Sequence, residues 1–226
     1  MYSPSVTMHT LSFINNRATI YGHGGAICLM TSSKVTLTAL SFINNSVTGD
    51  YGNGGAVFLY DTSNLNMTAL SFVGNSLSGV SGSGGAVCLG ASFNVTMTAL
   101  SFVANSVGDN GDGGAVYLSS TSNLNMTASS FVGNSASGGN IGRGGSGGAV
   151  YIESSSRMSM TVLSFINNSV SGGYGYGGAV GIYSSLNVIM TTLSFIGNSA
   201  SGGSGCGGAV SVMNSANTSF IDAVFT

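Results

Sequence analysis

The 226-residue chain holds only four Lys/Arg and six Asp/Glu, 4% charged against the roughly 25% usual in soluble domains. A net charge of −2 with scattered cations (Arg17, Lys34, Arg143, Arg157) excludes an electrostatic footprint for nucleic acid. The 43% apolar content is interrupted every few residues by Ser, Thr, Asn or Gly, so no run approaches the ~18 residues of a membrane span.

In chain order the same unit returns again and again. Phenylalanine followed by apolar-x-Asn stands at Phe13, Phe42, Phe72, Phe102, Phe131, Phe165 and Phe195. Between these lie Gly-Gly-Ala triplets ending at Ala26, Ala56, Ala86, Ala115, Ala149, Ala179 and Ala209. From each of the first six alanines to the next phenylalanine (Ala26 to Phe42, Ala56 to Phe72, and so on) the interval never changes. From phenylalanine to the following alanine it varies, as short as Phe13 to Ala26 and as long as Phe131 to Ala149. One half of the unit is a fixed scaffold, the other a loop that tolerates insertion.

Within the fixed half, the first element is GGAVFL, GGAVCL, GGAVYL or GGAVYI, alternating with the period of a strand. Pairs such as Val57/Leu59, Val87/Leu89, Val116/Leu118 and Val150/Ile152 fall on one aliphatic face. The second element places apolar residues seven and five before the phenylalanine, from Val6/Met8 and Val35/Leu37 to Val188/Met190. The third is the short Leu-Ser-Phe-Ile/Val. Three short strands in about 30 residues cannot bury an apolar face alone, and stacking unit on unit buries it. The predicted fold is all-β: a parallel β-helix of about seven coils of ~30 residues, three short strands per coil, rising ~4.8 Å per coil to a rod of roughly 34 Å. Asn16, Asn45, Asn75, Asn105, Asn134, Asn168 and Asn198 are expected to stack as an amide ladder at one corner. The glycines before each alanine are expected where a Cβ would clash or φ is positive.

GGAI and GGAV paired with FINN, FVGN and FVAN, over about residues 11–212, resemble the GGA[ILV] and FxxN repeats of chlamydial polymorphic outer-membrane proteins. The resemblance implies a right-handed β-helix, a passenger region that is secreted or surface-exposed, and work in adhesion or surface architecture rather than catalysis. The chain departs from that family in showing neither a signal peptide at its MYSPSVTMHTLSF opening nor a C-terminal membrane barrel. It starts within a second strand and stops mid-coil, so residues 1–226 are expected to form one domain uncapped at both ends, a segment of a longer protein or a unit that self-associates head-to-tail.

Enzyme-like signals are sparse. Gly22-His23-Gly24 resembles the Gly-His-Gly of β-helical polygalacturonases, but glycoside hydrolysis needs two carboxylates about 5–9.5 Å apart, and only Asp50 and Asp61 lie in the next coil. No catalytic residue is assigned, and a carbohydrate-active enzyme ranks third among the functional readings. Asp109, Asn110 and Asp112 lie in GDNGDGG, a shape able to offer oxygens to calcium, but six or more ligands are needed; a polar turn, with no metal and no cofactor, is expected. Cys28 and Cys88 share a column two coils apart, about 9.6 Å, which is beyond disulfide reach. Cys206 is in a loop.

On the second strand, residues six and four before the phenylalanine face outward. The outward face thus carries Thr36, Thr38, Thr68, Thr96, Thr98, Thr127, Thr161 and Thr191, with Asn66 and Asn125 interspersed. One reading is ice binding by the Thr-x-Thr array. The other is glycosylation: Asn44, Asn66, Asn94, Asn125, Asn167 and Asn217 obey the N-x-S/T rule, and covalent glycans would hydrate a rod this poor in charge. Phe58, Tyr117 and Tyr151 on the outward side of the Gly-Gly-Ala strand predict an apolar exterior for lateral packing against another chain. The function expected is that of an extracellular or cell-surface structural and adhesive rod, a glycosylated building block of a surface fibre, with ice binding as the alternative.

Overall fold

The computed structural model describes residues 5–108, 110–138, 145–173, 175–202 and 205–226. The protein is all-β, a parallel solenoid in which each strand pairs with its counterpart one coil away. In the third coil the Gly-Gly-Ala strand and the middle strand run together as Val57–Thr68. In the next they separate into Val87–Gly90 and Phe93–Thr98, followed by the phenylalanine strand Ser101–Val103. These strands build an 18-stranded sheet, with Val57 opposite Val87, Met67 opposite Met97 and Phe72 opposite Phe102. Corners are turned on single left-handed residues, such as Ala69 and Asn94, each at φ 54. Small side chains and asparagine tolerate that conformation at least cost.

A fourth short strand departs from the expected three. Ser46–Thr48, Ser76–Ser78, Ser135–Ser137 and their counterparts form a separate 7-stranded sheet just after the ladder asparagine. Its inward residues Val47, Leu77, Val107, Ala136 and Val170 make a second small core. The length variation is thus confined to the turn beyond this strand.

The main core is a stack of phenylalanine rings. Phe13, Phe42, Phe72, Phe102, Phe131, Phe165, Phe195 and Phe225 lie face over face, centroids 4.7–5.0 Å apart and planes within 8°. Phe225 extends the stack, with Thr226 where the other phenylalanines are followed by an apolar residue. The aliphatic and methionine positions named from the sequence, Val35, Leu37, Val57, Leu59, Met67, Met126 and Met160, are buried against that stack.

Polar residues inside the coil satisfy each other between layers. The amide of Asn45 donates 3.0 Å to Oδ1 of Asn75 and 2.9 Å to the carbonyl of Phe13, and its backbone N–H donates 2.9 Å to the same Oδ1. The pattern repeats through Asn198, with Asn45, Asn75, Asn105, Asn134 and Asn168 fully buried. Unpaired, each buried polar group would cost about 1–3 kcal/mol. A second buried ladder, of hydroxyls, holds the corner after the Gly-Gly-Ala strand. Thr121 N–H donates to Ser155 Oγ at 3.0 Å and Ser155 N–H to Ser185 Oγ at 3.2 Å. Both reasons for the double glycine apply to its first residue, and the clash alone to its second. Gly54 has φ 67, and a Cβ there would also stand 2.2 Å from the Val57 carbonyl oxygen. A Cβ on Gly55 would stand 2.0 Å from the carbonyl oxygen of Gly85.

Candidate functional site

The outer surface is ruled into columns by the coil register. Thr38, Thr68, Thr98, Thr127, Thr161 and Thr191 follow one another without interruption in six successive coils. Beside them Thr36, Asn66, Thr96, Asn125, Ser159 and Ile189 form a mixed column. The hydroxyls partly engage each other: Thr68 Oγ1 donates to Asn66 Oδ1 at 3.0 Å, and Thr127 Oγ1 to Thr98 Oγ1 at 3.4 Å.

The fourth strand adds a hydroxyl array that the sequence reading passed over. Ser46/Thr48, Ser76/Ser78, Ser135/Ser137, Ser169/Ser171 and Ser199/Ser201 point away from the inward Val, Leu and Ala of the same strands. The signal was present as Asn-Ser-apolar-Ser/Thr after five of the ladder asparagines, Asn45, Asn75, Asn134, Asn168 and Asn198, a period of two.

All six sequon asparagines are exposed, in three settings. Asn66 and Asn125 stand on the threonine face. Asn94 and Asn217 belong to an exposed amide ladder on left-handed corners, donating to Asn64 Oδ1 at 3.2 Å and Asn187 Oδ1 at 3.0 Å. Asn44 and Asn167 occupy another such corner, their side chains lying where a Cβ on Gly74 or Gly197 would be.

The Gly-Gly-Ala strand corrects the expectation of an apolar exterior. Phe58 and Tyr151 are only 6% and 8% exposed, and Cys88 3%. The residues preceding the double glycine fold back over this side and pair between coils, His23 with Asn53 and Asn53 with Ser83. The His23 ring stacks on Phe58 at 4.5 Å. Partial burial there lowers the pKa of His23. Tyr117 is half-buried and its hydroxyl donates to Glu153 Oε2. Burial first, then that bond and the nearby carboxylate charge, push the Tyr117 phenol far above its usual range. Two aromatic rings lie flat over a glycine of the next coil: a Cβ at Gly90 would meet Tyr60 Cδ2 at 2.8 Å, and one at Gly181 would meet Tyr151 Cδ2 at 2.7 Å.

The remaining candidates stay apart. Cys28 and Cys88 are free thiols, and burial raises the pKa of Cys28 and, much further, of Cys88. Cys28 and Cys88 flank Phe58 in one column, as expected. Asp109 lies outside the described residues; Asp112 takes its place in the column of His23, Asn53 and Ser83. Among the described residues no group of three or more His, Cys, Asp or Glu comes together, and none forms a helix long and apolar enough to cross a membrane.

Residues 10–29, from the phenylalanine strand through the fourth strand and turn to the Gly-Gly-Ala strand, match the Chlamydia polymorphic membrane protein repeat. The match and the solenoid together fit a repeat protein like the chlamydial polymorphic membrane proteins, whose repeat is associated with the cell surface and outer membrane. No curated protein and no solved structure gives a match.

Proposed function

We propose that the chain is a non-enzymatic, surface-exposed structural rod, a passenger-like building block of a fibre or adhesive layer. One observation carries the reading: an unbroken, in-register column of threonines over six coils of a parallel solenoid, with Thr36, Asn66, Thr96, Asn125 and Ser159 alongside. Such a surface offers a repeated, nearly uncharged pattern rather than a single concave site. Glycans on the sequon asparagines, with Asn66 and Asn125 beside the threonine column, would supply the hydration that 4% charge does not. The decisive experiment is the intact mass of protein from its native source, with peptide mapping, alongside surface proteolysis of whole cells. A heterogeneous excess over 22.4 kDa mapped to those asparagines, on protein removed by external protease, is the expected result. A bare mass, or protection from protease, overturns the corresponding half.

The six-coil threonine column favours one second reading, ice binding through a lattice-like hydroxyl array. Thermal hysteresis in the unglycosylated protein that disappears in Thr98→Leu and Thr127→Leu would establish it; none would remove it.

A further inference from the structure

Of the nine tyrosines, two described pairs stack across neighbouring coils, in opposite surroundings. Tyr117 and Tyr151 have ring centroids 5.9 Å apart, but Tyr151 is 8% exposed and the hydroxyl of Tyr117 is held by Glu153. Tyr21 and Tyr51 stack at 6.3 Å with planes 10° apart while remaining 66% and 61% exposed. Both sit in the left-handed region, at φ 60 and φ 65, a conformation that is unfavourable for bulky side chains. The backbone accepts that cost in two successive turns and holds two phenols side by side in water, where their stacking returns little burial.

We propose that Tyr21 and Tyr51 are a site of oxidative phenol coupling, forming a dityrosine bond between the first two turns of the rod. The co-reactant is a one-electron oxidant of the heme-peroxidase class driven by hydrogen peroxide, which the extracellular setting proposed above would bring to the surface. Each phenol gives up one electron and one proton. The two phenoxyl radicals join through their ortho carbons, and the hydrogens on those carbons move to the oxygens to restore both rings. The two electrons and two protons reduce one hydrogen peroxide to two waters. Exposure lets water take the phenolic proton and lets the oxidant reach the ring. Tyr117–Tyr151 fails on both counts, and Tyr60 has Phe58 rather than a phenol as its stacked neighbour, at 6.3 Å.

The test treats the full, folded chain with a heme peroxidase and limiting hydrogen peroxide at high dilution. The expected product is a monomer lighter by two hydrogen atoms, with dityrosine fluorescence and a peptide containing Tyr21 joined to one containing Tyr51. Tyr21→Phe and Tyr51→Phe should each lose the monomer fluorescence, whereas Tyr60→Phe keeps it. Circular dichroism of the two variants checks that the solenoid persists, as exposed Tyr→Phe changes should allow. Fluorescence surviving in a folded Tyr51→Phe, coupling mapped to other tyrosines, or coupling found only in cross-linked dimers would overturn the proposal.

Discussion

The two halves of each coil obey different rules, although one chain and one repeat build both. From Gly-Gly-Ala to phenylalanine, every inward side chain rests on its counterpart in the coils on either side, and the strands pair across them in strict register. A single inserted residue there would turn the apolar set outward, which is why Ala26 to Phe42 and Ala179 to Phe195 are the same length. Beyond the fourth strand the described residues keep register only through the double glycine and the single bridges just before it, such as His23 with Asn53 and Ser146 with Tyr176, and the stretch from Phe131 to Ala149 outgrows its counterparts. Repetition is enforced where a residue has a twin above and below, and relaxes where it does not.

Substitutions can break that contrast in order of size. Phe102→Ala opens the ring stack between Phe72 and Phe131, each 4.8 Å away, and should cost about 3–5 kcal/mol, read from the denaturant midpoint. Asn105→Ala removes the acceptor of Asn75 and the donor to the Phe72 carbonyl; about 2–3 kcal/mol is expected by the same measurement. Gly114→Ala drives a Cβ to 2.0 Å from the Gly148 carbonyl oxygen, where only backbone can yield, and should cost about 1–3 kcal/mol.

Two smaller effects concern His23 on the turn side and Gly90 at the end of the Gly-Gly-Ala strand. His23 has a folded pKa below its ordinary 6.5, so its contribution to stability is complete above that pH. It is lost as pH falls through the folded value, because the unfolded chain takes the proton more readily. Thermal melts should show the wild type losing stability relative to His23→Asn across that acid window, and parallel curves would refute the roof over Phe58. Gly90→Ala meets only the exposed ring of Tyr60 at 2.8 Å, which can swing away; a change within about 0.5 kcal/mol is expected. Equal costs at Gly90 and Gly114 would show that the two glycines do not differ as described.

The solenoid, the amide ladder and the inward columns were legible because each rests on a period of two within a longer, coil-length period. The fourth strand was not, since counting from phenylalanine to alanine merged Ser46-Val47-Thr48 with the variable turn behind it. Phe225 escaped because Thr226 stands where the other phenylalanines are followed by an apolar residue. Alternation correctly put Phe58 and Tyr151 on the outward side of their strand. It could not tell that His23 and its column fold back over that side, a contact between residues a whole coil apart in sequence. The outward threonines, with Asn66 and Asn125, follow the alternation of their strand, whereas Asn44, Asn94, Asn167 and Asn217 were found by the N-x-S/T rule, which places nothing; what any of them carries is a question of chemistry, which periodicity does not address.

The amide ladder also fixes how the rod answers force. Each asparagine is tied at once to the coil before and the coil after, so a pulled chain has no smaller piece to surrender than one whole turn. Under tension from one end, the rod should therefore pay out in near-equal steps of roughly 100 Å of contour for ~30 residues. The turn from Phe131 to Phe165, the widest interval between successive phenylalanines of the repeat, would give the one visibly longer step, marking the position of the rupture along the molecule.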